Sequence, residues 1–181
     1  TAMLPRDTFA REVVVVTGGG TGLGKAIAVE FGRVGAAVAI VSRSADHRAR
    51  GVEAVETTGA RAIGVEMDVR EPEQIATAFD TVEAQLGPIG VLVNNAAGNF
   101  PVAAEDLPPK GWRSVTDIVL NGTFNCSHAL AVRRIADARP AAILNIGATY
   151  AWTGGPGTAH SAAAKAGVVN MTMTLAVEWA P

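Results

Sequence analysis

A single cysteine stands in the chain, at position 126, so no intramolecular disulfide and no four-thiolate zinc or iron–sulfur site can form. Aromatic residues make up only 5%, and tyrosine occurs once, at position 150. No apolar run approaches the roughly 18 residues that a membrane-spanning helix needs, so no membrane span is expected. Residues 1–11 carry charges and no apolar segment, so no secretory leader is expected either. Charge of one sign is scarce: 15 basic against 17 acidic residues leave a formal net charge of −2. That balance argues against nucleic acid as a partner. The three histidines, His47, His128 and His160, lack metal-ligand spacing, so no metal is expected and each reads as surface or structural. Collagen, coiled coil and disordered tail all fit the composition poorly. The expected setting is reducing and aqueous, cytoplasmic or an organelle lumen.

What is present is 181 residues, 49% hydrophobic, with 20 glycines among many alanines and valines. That length can bury a core as one domain. A β-branched run at 13–16 reads as a strand buried on both faces. A glycine-rich turn follows, then a helix over 25–34 ended by Gly35, and a second strand at 37–41. Further elements are expected as a helix over 46–58, a strand at 62–65 and a helix from Pro72 to Leu86. Beyond them lie a strand at 91–93, a long helix over 112–136, a strand at 141–146 and a helix over 161–179. Strands alternating with helices predict an α/β fold, a Rossmann-type doubly wound parallel sheet with helices on both faces. Ligands of such sheets sit beyond the carboxyl ends of the strands.

Gly18, Gly22 and Gly24 lie between the first strand and its helix, with Thr17 and Thr21 as extra donors. A backbone free of Cβ atoms can approach a pyrophosphate there, and the helix start offers free N–H groups. The spacing, Gly-x3-Gly-x-Gly, departs from the general Gly-x-Gly-x-x-Gly pattern, but its place between strand and helix predicts a dinucleotide. Where NAD binders usually carry an acidic residue, this chain reads Ser42-Arg43. A guanidinium suits a 2′-phosphate, so NADPH is expected, with Lys25 adding positive charge. The alternative leaves Arg43 solvated and has Asp46 reach back to the ribose.

Together Thr17-Gly-x3-Gly-x-Gly24, Asp68-Val69, Asn94-Asn-Ala-Ala-Gly98, Asn121 and Lys165 resemble the short-chain dehydrogenase/reductase family. The resemblance covers nearly the whole chain and implies dinucleotide contacts at Gly18, Thr21, Gly22, Leu23, Gly24, Ser42 and Arg43. It also implies that Asp68 and Val69 border the adenine pocket and that Asn95, Ala96, Ala97 and Gly98 pass beneath the ribose. Lys165 would bind the nicotinamide ribose, and Asn121 would bend the long helix near the site.

Two positions depart from the alcohol-oxidising members of the family. Ser161 stands four residues before Lys165 where they carry tyrosine, and Ala148 stands where they carry serine. A serine hydroxyl is a poor proton donor near neutral pH, so plain alcohol dehydrogenase chemistry is not expected. In these departures, and in Asn95-Ala-Ala-Gly-Asn-Phe100 and Ser161-x3-Lys165, the chain resembles the 2,4-dienoyl-CoA reductase branch of fatty-acid β-oxidation. That resemblance implies Tyr150 and Asn99 as donors to a dienolate formed by hydride from NADPH, with Ser161 and Lys165 beside them and a 3-enoyl-CoA as product. A trans-2-enoyl-CoA or other acyl-thioester reductase is the nearest alternative, and a catalytically inactive dinucleotide-binding module is the alternative of another class. The family precedent also implies a homotetramer built on the long and last helices.

Cys126 reads as a small buried residue, and Trp112 and Trp179 as packing or interface residues. Arg133 and Arg134 suit the carboxyl end of the long helix. The doubly wound plan expects a sixth strand after the helix ending near Trp179. Residues 1–181 are therefore read as an NADP-binding reductase domain lacking its C-terminal part.

Overall fold

A computed structural model describes residues 4–180. Five strands, β1 (Val13–Thr17), β2 (Ala37–Ser42), β3 (Ala62–Glu66), β4 (Ile89–Asn94) and β5 (Ala142–Asn145), form one parallel sheet in the order β3-β2-β1-β4-β5. Helices α1 (Gly22–Arg33), α2 (Ala45–Glu56) and α3 (Pro72–Leu86) connect the first four strands. The chain then runs through a 3₁₀ turn (Ala104–Asp106), α4 (Pro109–Thr116), a π-helical turn (Asp117–Asn121) and α5 (Gly122–Ala136) to β5. After β5 come a short α6 (Tyr150–Thr153) and α7 (Ala159–Trp179). This is the doubly wound parallel sheet expected from the sequence.

The alternation of a strand divides the core between two faces. Val13 and Val15 point to one side with Ala39, Val41 and Leu92, and meet Phe79 and Val82 of α3 and Leu130 of α5. Val14 and Val16 point to the other side with Val38, Ile40 and Val93, where Ala28 of α1 and Val55 of α2 cover them. Phe79, Ile40 and Leu92 are fully buried, and each such side chain contributes about 1.5–3 kcal/mol. Cys126 is also fully buried on α5, and burial pushes its thiol up to about 12, as befits an inert apolar filler.

Three details differ from the sequence expectation. The long helix is interrupted between α4 and α5 by a π-helical turn that ends at Asn121, the position at which the family resemblance implies a bend in a single helix. Within that turn Asn121 Nδ2 donates to Asp117 Oδ1 at 3.0 Å. The short α6 is four residues long and carries no readable periodicity. Arg133 and Arg134 answer neighbouring side chains rather than the helix end alone. Arg133 reaches Asp80 at 2.6 Å, and the buried Arg134 reaches Glu83 at 2.7 Å and Asp137 at 2.9 Å, tying α5 to α3.

Candidate active site

The crossovers leave β1 and β4 in opposite directions, so a crevice opens beyond the carboxyl ends of these two neighbours. The first wall of the crevice is the loop from β1 to α1. The Gly18 N–H donates to the Val41 carbonyl at 2.9 Å. The Thr17 hydroxyl accepts the N–H groups of Asn95 and Ala96, both at 2.9 Å, and donates to the Val93 carbonyl at 3.3 Å. It is thereby committed within the fold and is not the extra ligand donor expected from the sequence. Asn95 Nδ2 returns the connection, donating to the carbonyls of Thr17 at 2.9 Å and Gly18 at 3.3 Å.

Gly20 and Gly22 are among the glycines here that geometry demands. Gly22 has φ +51 and open space where a Cβ would stand. At Gly20 a Cβ would lie 2.0 Å from the His47 carbonyl oxygen, because α2 packs directly on the loop. Gly20 did not enter the spacing argument, although the run Gly18-Gly19-Gly20 was a signal for such close approach. Thr21 is exposed, with no side-chain cap bond to α1. The first N–H groups of α1 face the same opening, as helix starts do.

At the far end of β2, Arg43 is 63% exposed in its side chain, with Nη1 3.6 Å from Asp68 Oδ2. The chain carrying Arg43 is pinned by Arg48, which sequence reasoning passed over. Its Nη1 donates to the carbonyls of Ser42 at 2.7 Å and Arg43 at 3.0 Å, and its Nη2 to Glu66 at 3.1 Å. Asp46 pairs loosely with Arg50 at 3.7 Å on the exposed side of α2 and does not line the crevice. Arg70 grips both oxygens of Asp68, Nε to Oδ1 at 3.0 Å and Nη2 to Oδ2 at 2.5 Å. That grip holds the Asp68 carboxyl below the usual carboxylate range, against the opposing effect of burial.

At the reaction end, Lys165 of α7 is buried and its Nζ donates to the Ile146 carbonyl at the end of β5. Burial lowers the pKa of this ammonium. Ser161 lies one turn earlier on α7, buried, with Oγ 2.9 Å from the Tyr150 hydroxyl. Asn99 is exposed and, among the described residues, its side chain makes no hydrogen bond. Asn121 is exposed on the π-helical turn. The structure therefore joins Tyr150 to Ser161, a pairing the sequence did not reveal, and no hydrogen bond joins Tyr150 to Asn99. His160 falls on the structural side of the surface-or-structural reading: it is fully buried beside Ser161.

Gly18, Thr21, Gly22, Leu23, Gly24, Ser42, Arg43, Asp68, Val69, Asn95, Ala96 and Ala97 line one cleft of about 430 Å³. Val41, His47, Met67 and Ile118 complete it, whereas Gly98 and Lys165 lie outside this lining. A broader hollow of about 1730 Å³ lies at the opposite, amino-terminal ends of β2 and β3. Of the residues expected to hold a dinucleotide it shares only Leu23, and Gly18, Arg43, Asp68 and Asn95 line the smaller cleft instead, so the smaller cleft is the candidate site. Among the described residues, no three His, Cys, Asp or Glu side chains are grouped to hold a metal ion. No described helix is long and apolar enough to cross a membrane.

The family model described as short chain dehydrogenase matches residues 12–181. An uncharacterised oxidoreductase of Caenorhabditis elegans is 45% identical over 98% of this chain and 57% of its own length. A protein of Bacillus subtilis named a probable 2,4-dienoyl-CoA reductase, (2E)-enoyl-CoA-producing, is 42% identical over 93% of this chain and 66% of its own. A peroxisomal 2,4-dienoyl-CoA reductase of Arabidopsis thaliana, named as (3E)-enoyl-CoA-producing, is 40% identical over 96% and 60% respectively. The crystal structure of a short chain dehydrogenase from Bacillus anthracis superposes with a TM-score of 0.91 at 46% identity, covering 94% of this chain and 70% of that one. The chain thus spans less than two thirds of the length of these curated relatives.

Proposed function

The chain belongs to the short-chain dehydrogenase family, and from that premise we propose that it is an NADPH-dependent reductase of 2,4-dienoyl-CoA thioesters. One observation carries the reading: the only tyrosine of the chain reaches from α6 to Ser161, one helical turn before Lys165 on α7, from a different element than the family's alcohol-oxidising members use. The naming of relatives as 2,4-dienoyl-CoA reductases at 40–42% identity supports it.

The residues present fit a nicotinamide dinucleotide. The open, positive-φ Gly22 and the unpaired start of α1 suit a pyrophosphate, and Asp68 and Val69 border a recess for the adenine. Arg43 supplies the charge for a 2′-phosphate, with Arg48 holding its backbone, and Ser42 flanks it. Asn95, Ala96, Ala97 and Gly98 would form the floor beneath the adenine ribose, and Lys165 on α7 would bind the nicotinamide ribose. When bound, the nicotinamide supplies the hydride.

What the chain's own residues do is stabilise charge. Hydride addition at the far end of a dienoyl thioester places negative charge on the thioester oxygen, preorganised donors in a water-poor site stabilise it, and uptake of one proton at the dienolate carbon gives the 3-enoyl product. With Ser161 donating to the Tyr150 oxygen, the phenol proton is free to point at that thioester oxygen. The Asn99 amide, exposed and without a partner, is the second donor. Lys165 adds positive charge, and Asn121 sets the π-helical turn that shapes the wall between α4 and α5. The exposed Phe124, Val132 and Ile135 of α5 support a homotetramer built on that helix. Residues 1–181 then act as one dinucleotide-binding reductase domain.

The test is NADPH and NADH oxidation by the intact protein with 2,4-dienoyl-, 2-enoyl- and 3-oxoacyl-CoA, with the double-bond position of the product read by NMR. Turnover of the dienoyl thioester to a 3-enoyl product is expected. Arg43→Gln is expected to lower NADPH affinity by roughly 10- to 100-fold while sparing NADH, the scale of losing charge-assisted hydrogen bonds. Exclusive turnover of the 2-enoyl or 3-oxoacyl substrate would replace the reading.

A further inference from the structure

His160 is the second residue of α7, and its side chain is fully buried. The first N–H groups of an α-helix have no partner within the helix. Thr158, immediately before α7, supplies no side-chain cap. The Ser161 N–H is instead accepted by Nδ1 of His160 at 2.8 Å. A neutral imidazole that accepts at Nδ1 carries its proton on Nε2. That Nε2 is buried with no hydrogen-bond partner among the described residues. An aliphatic side chain would fill the same volume without leaving a donor unpaired, so packing alone does not account for a histidine here.

The ring also faces a second element. Phe100 stands edge-on to the imidazole, with ring centroids 4.7 Å apart and planes at 87°. Phe100 follows Asn99 in the turn after β4, and the Val102 N–H ties that turn to the Gly157 carbonyl, just before α7, at 3.1 Å. On one side, then, His160 fixes the backbone of the residue whose hydroxyl meets Tyr150. On the other, it seats the turn that carries Asn99.

We propose that His160 is a positioning residue for the reduction, acting through Nδ1 on Ser161 and through its ring on Phe100 to hold the Tyr150 and Asn99 donors in register. The proposal rests on the dienoyl thioester reading for its kinetic part only. It touches no substrate atom, and its effect is geometric: donors displaced by about 1 Å lose up to a hundredfold in rate.

Three substitutions separate the possibilities. In His160→Asn the side-chain oxygen stands near the Nδ1 position and can accept the Ser161 N–H; in His160→Gln the amide reaches instead toward the Nε2 position; His160→Ala does neither. Because Tyr150 is the only tyrosine, ring-labelled tyrosine gives one set of NMR signals that reports the Tyr150–Ser161 contact without any turnover. The Ala and Gln variants are expected to displace those signals and to lower kcat by roughly 10- to 100-fold with KM near wild type. The Asn variant is expected to keep the wild-type signals and recover most of kcat. Unmoved tyrosine signals in the Ala variant, or recovery by Gln and not by Asn, overturn the proposal. Should His160→Ala fail to fold, the Asn–Gln contrast decides alone. Should the wild type reduce no dienoyl thioester, the functional reading falls while the tyrosine signals still decide the role of His160.

Discussion

At the glycine-loop end of the cleft, β1 is buried along its whole length and β2 along all but its last residue, whereas at the Tyr150 end β5 lies on the sheet edge with Leu144 46% exposed. The first end is built by backbone: carbonyls and N–H groups of Thr17, Gly18, Val41, Asn95 and Ala96 close on one another, with one hydroxyl and one amide between them. The second end is built by side chains from separate elements: Tyr150 of α6 meets Ser161 of α7, and Lys165 of α7 reaches the Ile146 carbonyl, with the proposed donor Asn99 in the turn after β4. A backbone-built end tolerates loss of a polar atom but not added bulk. A side-chain-built end tolerates neither loss nor displacement of its donors, yet can lose one without unfolding.

The largest effect is expected where one atom is removed from the side-chain end. Tyr150→Phe deletes the hydroxyl that meets Ser161 and leaves the ring in place. Loss of one preorganised donor lowers turnover by roughly 100- to 1,000-fold. Dinucleotide affinity and melting temperature are expected to stay near wild type, since the ring still packs and the cleft lining does not include it. Steady-state kinetics with the dienoyl thioester and calorimetric titration of NADPH measure the two quantities side by side. Equal losses in both would mean that the two ends are not separable.

How much could be read from the sequence follows the same division. The valines at 13–16, the Gly-rich turn and the Pro72 helix start are local signals, and the structure has each at its expected place. The glycine positions report backbone geometry, so a backbone-built end is legible in one dimension. The contact of Tyr150 with Ser161 joins residues 11 apart across a turn, and no spacing rule encodes it. The buried state of His160 depends on Phe100, sixty positions earlier in the chain, and a lone histidine in an alanine-rich stretch carries no mark of that. Arg48 was invisible for a similar reason: its partners are main-chain carbonyls and a glutamate on another strand. The resemblance implied a bend at Asn121, but the π-helical form of the turn that ends there is a matter of backbone hydrogen bonding and has no residue signature.

A smaller effect, on stability, is expected from adding one methyl group at the backbone end. In Gly20→Ala the new Cβ meets the His47 carbonyl oxygen at 2.0 Å, an atom of the main chain that cannot rotate away, so either the loop or α2 must shift. Overpacking of this kind costs about 1–3 kcal/mol. Chemical denaturation measures that loss directly, and weaker NADPH binding should accompany it because the shifted loop lines the cleft. The same substitution at Gly22 meets no atom within 4 Å and carries only the strain of its positive φ. Stability losses that did not rank Gly20→Ala above Gly22→Ala would mean that α2 does not press on the loop.

The smallest effect sets pH against the same backbone end. Asp68 has its pKa lowered in the folded protein, chiefly by the side-chain hydrogen bond from Arg70, with burial opposing and the Arg70 N–H and the charges of Arg70 and Arg43 assisting. A carboxyl with a folded pKa below its unfolded value adds stability at pH values above the unfolded value of about 3.8–3.9. That stability is lost as the pH falls through the folded value, because the unfolded chain then binds the proton more readily. Arg70 is 37% exposed in its side chain, so solvent screens the pair and the contribution is no more than about 1 kcal/mol. Asp68→Asn should therefore be slightly less stable than wild type at pH 7, and the two denaturation midpoints should converge as the pH falls below the unfolded carboxyl value and through the lowered folded one. Its turnover should change far less than that of Tyr150→Phe, because Asp68 lines the glycine-loop cleft, which does not include Tyr150. A gap that persists unchanged into acid would assign the stabilisation to the shape of the Asp68–Arg70 contact and not to its charge.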